Sequence, residues 1–355
     1  MAVDDRGIVV GITSYPNIGS LQGPELDAEA FYDWLTSPTG GDVPTANVDK
    51  IVSSSFLPVP PAPHNRPAEQ EVKEAFDRLQ LEAFVDRRMP KRLGRRLYVY
   101  VAGHGAALPF IIDPERSDAA LLVADANQFN ANHVMTKIRA LYFLSAGIFD
   151  EIAVFMDCCR NYYSLNPNYP SYMNAVDMNT LADEPRKFFA FATRWGLNAR
   201  EKQFNGVTRG IFTTALITGL KGAAADPDGT VNSSSLRNYL INHMKDLLTP
   251  QELQDAGIQR RPDVPPPAVE MVFATVAPQR VTVSVTFPPN AANQPIRVRG
   301  EGYKVIATGQ TEAGKPWVVP DPLPRGNYLV QIPALGLEQD FTLVGDERTF
   351  DVVIN

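Results

Sequence analysis

The spacing of apolar positions changes several times along the chain, and each change predicts an element. Residues 7–13, GIVVGIT, form a nearly unbroken apolar run that reads as a buried strand. GPELDAEAFYDWL follows, with Phe31, Trp34 and Leu35 on one helical face and Pro24 suited to a first helical turn. VDKIVSSS is a second strand. Residues 57–67, LPVPPAPHNRP, hold five prolines and must be loop. From Pro67 to about Arg87, Val72, Phe76, Leu79 and Ala83 recur at helical spacing. RRLYVYVAG is a third strand, residues 131–146 a helix, EIAVFM a fourth strand and KFFAFAT at 187–193 a fifth. GIFTTALITGL and SSSLRNYLINHMKDLL read as two closing helices, and EMVFAT as a last strand. Strands alternating with helices predict a mostly parallel sheet covered on both faces.

The pattern then changes. Residues 249–267 turn rich in proline and end in RRPDVPPP, which marks a stiff connection. Beyond it RVTVSVTF alternates strictly, with Val281, Val283, Val285 and Phe287 facing one way and Thr282, Ser284 and Thr286 the other. IRVRG, YKVIATG, NYLVQI, DFTLV and TFDVVI follow at short intervals, separated by Gly and Pro. That is the pattern of a small all-β sandwich. The expected organisation is an α/β domain over 1–248, a linker with a last strand over 249–276, and a sandwich domain over 277–355.

Composition narrows the function. The 355 residues carry a formal charge of -7, which argues against general nucleic-acid affinity. No run approaches the roughly 18 consecutive apolar residues of a membrane helix, and the acidic start MAVDDRG lacks the basic region of a secretory signal. The only two cysteines, Cys158 and Cys159, are adjacent. Adjacent Cα atoms sit about 3.8 Å apart, whereas an ordinary disulfide needs about 4.4–6.8 Å. No disulfide framework is expected, and a reducing, cytoplasmic setting fits best. Structural zinc sites space their cysteines by about two to four residues, so no metal or other cofactor is expected.

The candidate chemistry sits at two strand ends. In an open parallel sheet, ligands gather beyond the carboxyl ends of the strands. The third strand, LYVYVAGHG, runs into His104; the fourth, IAVFMDCC, runs into Cys158 and Cys159. If those strands are neighbours, an imidazole and a thiol meet above the sheet, and such a pair suffices for acyl transfer. The backbone N–H groups of Gly105 and Cys159 are the candidate oxyanion donors. The other histidines, His64, His133 and His243, do not end strands.

These residues also carry a family resemblance. YVYVAGHGA with VFMDCCRN resembles the caspase and metacaspase superfamily of cysteine peptidases in its bacterial form, where histidine precedes cysteine by about 50 residues. The opening IVVGITSYPNIGSLQGPELDAEAF, the helix RGIFTTALITGLKG and the segment DPDGTVNSSSLRNYL are similar to other parts of the same domain, so the resemblance covers roughly residues 5–250. It implies a caspase-like sheet with His104 catalytic and Cys159, the cysteine before a basic residue, as nucleophile. Cys158 takes the variable place, with Cys158 as nucleophile the alternative; extended neighbours point to opposite faces, so one cysteine is expected to see the histidine. After the nucleophile the family's Ser-Gly or Gly is replaced by Asn161 to Tyr163, which leaves that loop's shape open.

The resemblance further implies a primary pocket lined by Asp27 and Asp157, which would pair with arginine or lysine of a protein substrate. Helix-start and turn roles for the two carboxylates are the structural alternatives. Self-cleavage, as in many relatives, would fall at Arg186, Lys187 or Arg260. Calcium activates some metacaspases, but DPDG at 226–229 lacks a full calcium loop and reads as a turn. DPLPRGNYLVQI resembles a hairpin of carboxypeptidase-regulatory-like and transthyretin-like sandwiches, a module expected to bind a partner. The expected activity is a cysteine endopeptidase cutting after arginine or lysine. The alternatives are an inactive caspase-fold scaffold and an acyltransferase using the same pair.

Overall fold

A computed structural model describes residues 4–56, 65–84, 90–108, 118–162, 185–194, 198–204, 206–254, 261–277, 280–343 and 348–354. The chain divides into two compact units, Met1–Ile217 with Arg237–Met271, and Thr218–Leu236 with Val272–Asn355.

The first unit is built on five parallel strands in the order β2-β1-β3-β7-β9. In chain order the unit runs β1 (Arg6–Gly11), α1 (Pro24–Thr36), β2 (Val48–Val52), α2 (Glu69–Ala83) and β3 (Gly94–Gly103). It continues through β4 (Gly105–Leu108), β5 (Asp118–Leu122), β6 (His133–Val134), α3 (Thr136–Ser145), β7 (Phe149–Cys158) and β8 (Asn161–Tyr162). After β9 (Arg186–Phe191) come a hairpin, β10 (Glu201–Phe204) and β11 (Val207–Gly210), and helix α4 (Ile211–Thr218). Helices α5 (Ser233–His243), which belongs to this unit from Arg237 on, and α6 (Pro250–Gln254) follow.

Strand alternation sorts the two faces of the sheet. Leu97, Val99 and Val101 of β3, with Ile152, Val154 and Met156 of β7, share a core with α2 and α3. The intervening side chains face α1: Phe31 stacks on Tyr100 at 4.5 Å and packs on Phe155, and Trp34 packs on Tyr98. Each face buries a separate apolar layer, which is why these strands read as continuous apolar runs.

Three elements differ from the sequence expectation. Residues 105–108, 118–122, 133–134 and 161–162 form a second, four-stranded sheet in the order β6-β5-β4-β8. The helix expected from 131 starts at Thr136, because His133 and Val134 pair with β5. The β10–β11 hairpin carries polar and half-buried residues, with no apolar periodicity to announce it.

In the second unit β12 (Thr230–Asn232) pairs antiparallel with β13 (Val272–Thr275), so EMVFAT does form a strand, outside the five-stranded sheet. The segment 226–229 closes as a turn: Asp228 Oδ1 accepts the Thr230 N–H and Asp226 Oδ2 accepts Asn232 Nδ2. The rest is two facing sheets. One contains β14 (Arg280–Thr286), β17 (Trp317–Val318), β18 (Leu323–Pro324) and β21 (Thr349–Val353). The other is β16-β15-β19-β20, from β15 (Pro295–Arg299), β16 (Val305–Gln310), β19 (Gly326–Ile332) and β20 (Leu337–Leu343). Val281, Val283 and Val285 from the first sheet meet Val298, Val330 and Ile332 from the second in one core. The alternation seen in RVTVSVTF is that inward face. Among the described residues no helix is long and apolar enough to cross a membrane.

Candidate active site

Strands β3 and β7 pair in parallel with Gly103 opposite Cys158, so His104 and Cys159 leave adjacent strands side by side at their carboxyl ends. The alternation that sorts the core also sorts this edge. Met156 and Cys158 lie on the α2/α3 face, where Cys158 is 2% exposed and belongs to the core. Burial pushes its thiol well above the ordinary range. Asp157 lies on the Phe155 face, toward α1. Cys159 follows the strand and is partly exposed, its Sγ 4.0 Å from the Ala199 carbonyl oxygen. Burial also raises this thiol.

The His104 ring is held at one nitrogen. Its Nε2 lies 2.8 Å from the Gly19 carbonyl oxygen, which can only accept, so Nε2 carries a hydrogen and, in the neutral ring, Nδ1 the lone pair. Gly105 begins β4 in close contact with the cysteine segment: a Cβ there would stand 2.5 Å from both Cys158 Cβ and the Cys159 carbonyl oxygen. The Leu122 N–H donates to the His104 oxygen, so His104 and Leu122 form a hydrogen-bonded rung. Gly105 and Leu121 are then a non-bonded rung, and the Gly105 N–H turns away from β5.

The chain after the nucleophile candidate takes a definite course. Arg160 is 2% exposed; it donates to the Thr193 carbonyl at 3.1 Å, pairs with Asp263 at 2.5 Å and lies over the Phe191 ring. Asp263 also forms an antiparallel bridge to Phe191, so this part of the expected linker is tied to the end of β9. Asn161 and Tyr162 then run beside Ala106 and Ala107 of β4. Tyr163 lies outside the described residues.

Asp27 and Asp157 come together at the start of α4. Asp27 extends the buried stripe of α1 that continues through Phe31 and Trp34, and is 2% exposed; Asp157 is 8% exposed. One oxygen of each lies within 3 Å of the point a Cβ would occupy at Gly210. The two carboxylates are therefore within about 5 Å, close enough for the Asp157 charge to raise the Asp27 pKa. Burial and the Asp157 charge push Asp27 up to about 7, and burial pushes Asp157 up to about 6. Donors oppose the rise. Gly210 N–H and Arg209 Nε donate to Asp27 at 2.7 and 2.6 Å, and the Thr213 N–H and hydroxyl donate to Asp157 at 3.1 and 2.7 Å. These N–H groups belong to the first turn of α4 and its lead-in, where the helix dipole also favours anions. Tyr100 from β3 holds the Thr213 hydroxyl at 2.6 Å.

Arg209 thus already occupies Asp27, a partner the sequence did not signal. Nor did it signal Thr213, which reads there as an ordinary helix residue. Residues 198–204 and 206–210 cover the region twice, with Ala199 against Cys159 and Arg209 on Asp27. Their hairpin is tied down by Glu201, which accepts the Gln22 and Gly23 N–H groups at 3.2 and 2.7 Å. A cavity of about 10 Å³ is bordered by Asp157, Ala192, Ala199 and Arg200.

The proposed cut sites lie elsewhere. Arg186 and Lys187 open β9, in register with Glu151 and Ile152 of β7, and Arg186 pairs with Glu151 at 2.8 Å. Arg260 lies outside the described residues. Among the described residues no three His, Cys, Asp or Glu side chains group so as to hold a metal ion.

The first unit is therefore an α/β sheet with histidine, cysteine and two buried carboxylates gathered at its carboxyl edge. No protein-family model matches the chain. It is similar to a probable protease from a Desulfuromonadales bacterium, 27% identical over 225 residues. That match covers 61% of this chain and 26% of the relative, so the chain spans about a quarter of the curated protein it matches. Similar solved structures include caspase-1 from Spodoptera frugiperda, with TM-score 0.43 and 15% identity over 74% of this chain and 88% of that one. A protein from Geobacter sulfurreducens has TM-score 0.40 and 12% identity over 77% of this chain and 95% of that one.

Proposed function

We propose that the first unit is a caspase-like cysteine endopeptidase that cuts after arginine or lysine. The observation that carries this reading is the register of Gly103 opposite Cys158, which sets His104 and Cys159 at the ends of neighbouring strands. In the proposed reaction the Cys159 proton passes to His104 Nδ1 and the sulfur attacks the scissile carbonyl carbon. The oxyanion is held by the Gly105 and Cys159 N–H groups, each worth about 2.7–4 kcal/mol in a transition state. His104 then protonates the departing amine, leaving a thioester. Water attacks it, giving its proton to Nδ1, and the free acid and thiol are restored. The substrate's basic side chain exchanges with Arg209 on Asp27, with Asp157 as the second carboxylate.

A fluorogenic peptide ending in arginine tests this. The wild type should release the fluorophore, and Cys159→Ala and His104→Ala should not. A second reading, an inactive caspase-fold scaffold, is favoured by the cover over the site, with Ala199 on the thiol and Arg209 in the pocket. It expects the wild type to be no faster than Cys159→Ala, even after Arg209 is removed. Joining of the peptide to added amines, in place of hydrolysis, would identify an acyltransferase. The β9 ladder and the Arg186–Glu151 pair disfavour cuts at Arg186 and Lys187 in the folded chain. Mass spectrometry after long incubation of active enzyme would reveal a cut at Arg260. We further propose that the sandwich binds a protein partner, and that no calcium or other cofactor takes part; activity unchanged by a chelator tests the latter.

A further inference from the structure

Tyr15, in the loop between β1 and α1, is fully buried. Its hydroxyl stands between two backbone groups. It donates to the Leu122 carbonyl at 2.9 Å and accepts the His104 N–H at 3.1 Å. An antiparallel rung of this kind ordinarily exchanges both bonds directly. Here one bond is direct, from Leu122 N–H to His104 O at 2.9 Å, and the phenol oxygen is inserted into the other. The insertion falls at the break between β3 and β4, the one position occupied by His104. Gly103 makes room for it: φ is 154°, and a Cβ there would stand 2.3 Å from the hydroxyl oxygen.

The same loop also holds the imidazole. The Tyr15 ring meets the His104 ring edge to face, with centroids 4.7 Å apart and planes at 67°. The Tyr15 carbonyl accepts the Ile18 and Gly19 N–H groups, closing a turn that presents the Gly19 carbonyl to His104 Nε2. Ser20 Oγ accepts the Tyr15 N–H at 3.1 Å and braces the turn. Backbone position, ring plane and tautomer of His104 are thus all set by residues 15–20.

We infer that Tyr15 is a positioning residue for His104. Its hydroxyl holds the histidine backbone off the β5 ladder, its ring orients the imidazole, and its turn keeps the hydrogen on Nε2 so that Nδ1 is the base. The inference rests on the reading of His104 and Cys159 as the reacting pair.

Tyr15→Phe keeps the ring and removes only the oxygen. With the Arg-ended peptide, kcat should fall about 10- to 100-fold, the range expected for an ångström-scale misplacement, with KM within about twofold. In protein labelled with ¹⁵N-histidine, the wild-type His104 should show a single Nε2–H tautomer, assigned by its loss in His104→Ala; Tyr15→Phe leaves the Gly19 carbonyl in place but frees the His104 N–H that fixes the ring's distance from it, and should show a mixture. Gly103→Ala, which drives a methyl at the hydroxyl, is the second variant and should give the same kcat loss. An active wild type with either variant folded and unchanged in kcat and tautomer overturns the positioning role and leaves the pair intact. A wild type without Cys159-dependent cleavage overturns the pair instead, and the tautomer spectra still decide whether Tyr15 holds the ring.

Discussion

Arg209→Ala offers a direct probe of the acidic pocket. Arg209 Nε donates to Asp27 Oδ1 at 2.6 Å, and that carboxylate is 2% exposed. A basic side chain that uses Asp27 must first break this contact. Hydrogen bonds to charged groups are worth about 1.5–3 kcal/mol net, and each 1.4 kcal/mol is tenfold in affinity. Deleting the internal competitor should therefore lower KM for an Arg-ended peptide about 10- to 100-fold, with kcat changed little. The same change strands Asp27 beside Asp157. An unpaired buried charge costs up to about 3–5 kcal/mol, and each kcal/mol lowers Tm by about 2–4 °C in a unit of this size. A peptide aldehyde ending in arginine should restore that loss in a thermal melt, because it replaces the missing cation. Its counterpart ending in norleucine should not. The assays are initial rates on Arg- and norleucine-ended peptides and melts with each aldehyde. A folded Arg209→Ala enzyme whose KM for the arginine peptide is unchanged or higher would show that Arg209 and substrate do not compete, and the basic-pocket reasoning would fail.

The other predictions concern the edge around that pocket. Cys158→Ala should keep most peptidase activity, since that side chain is core, while Cys159→Ala should keep none; the two rate constants decide it. Asp263→Asn uncouples Arg160, the residue after the nucleophile, and leaves a guanidinium at 2% exposure with weaker compensation. Urea unfolding should show a loss of about 1–3 kcal/mol, with a larger proportional loss in kcat than in KM. Asp27, at about 7 in the folded chain and near 3.8 unfolded, is a raised carboxyl. It opposes folding as pH rises from about 4 to about 7, so this pair should make the protein more stable at pH 5 than at pH 8. That preference should shrink in Asp27→Asn. KM for the arginine peptide should rise as pH falls below about 7, because a protonated Asp27 binds a cation poorly.

Much of the fold was legible as period. Apolar runs marked four of the five parallel strands because both of their faces are covered, the edge strand β2 being read from the weaker VDKIVSSS, and the Val281–Val285 alternation marked a strand with one buried face. The candidate pair was legible because His104 and Cys159 each follow such a run. Asp27 was singled out by the family resemblance; its place on the buried stripe of Phe31 and Trp34 is a finding of the structure. The short strands of the second sheet and the hairpin were not legible, since strands of two to five residues carry too few positions for a period.

The sequence by itself determined that two strands end in histidine and cysteine, and that one cysteine must turn inward. Alternation along a strand requires this whatever the partner. Only the tertiary structure decided that β3 and β7 are neighbours in a register that sets Gly103 beside Cys158. It alone brought Tyr15 to the His104 backbone, Asp263 to Arg160 and Arg209 to Asp27, contacts spanning 89, 103 and 182 residues. No local pattern encodes such pairs, because a buried polar group is satisfied by whichever donor the packing delivers.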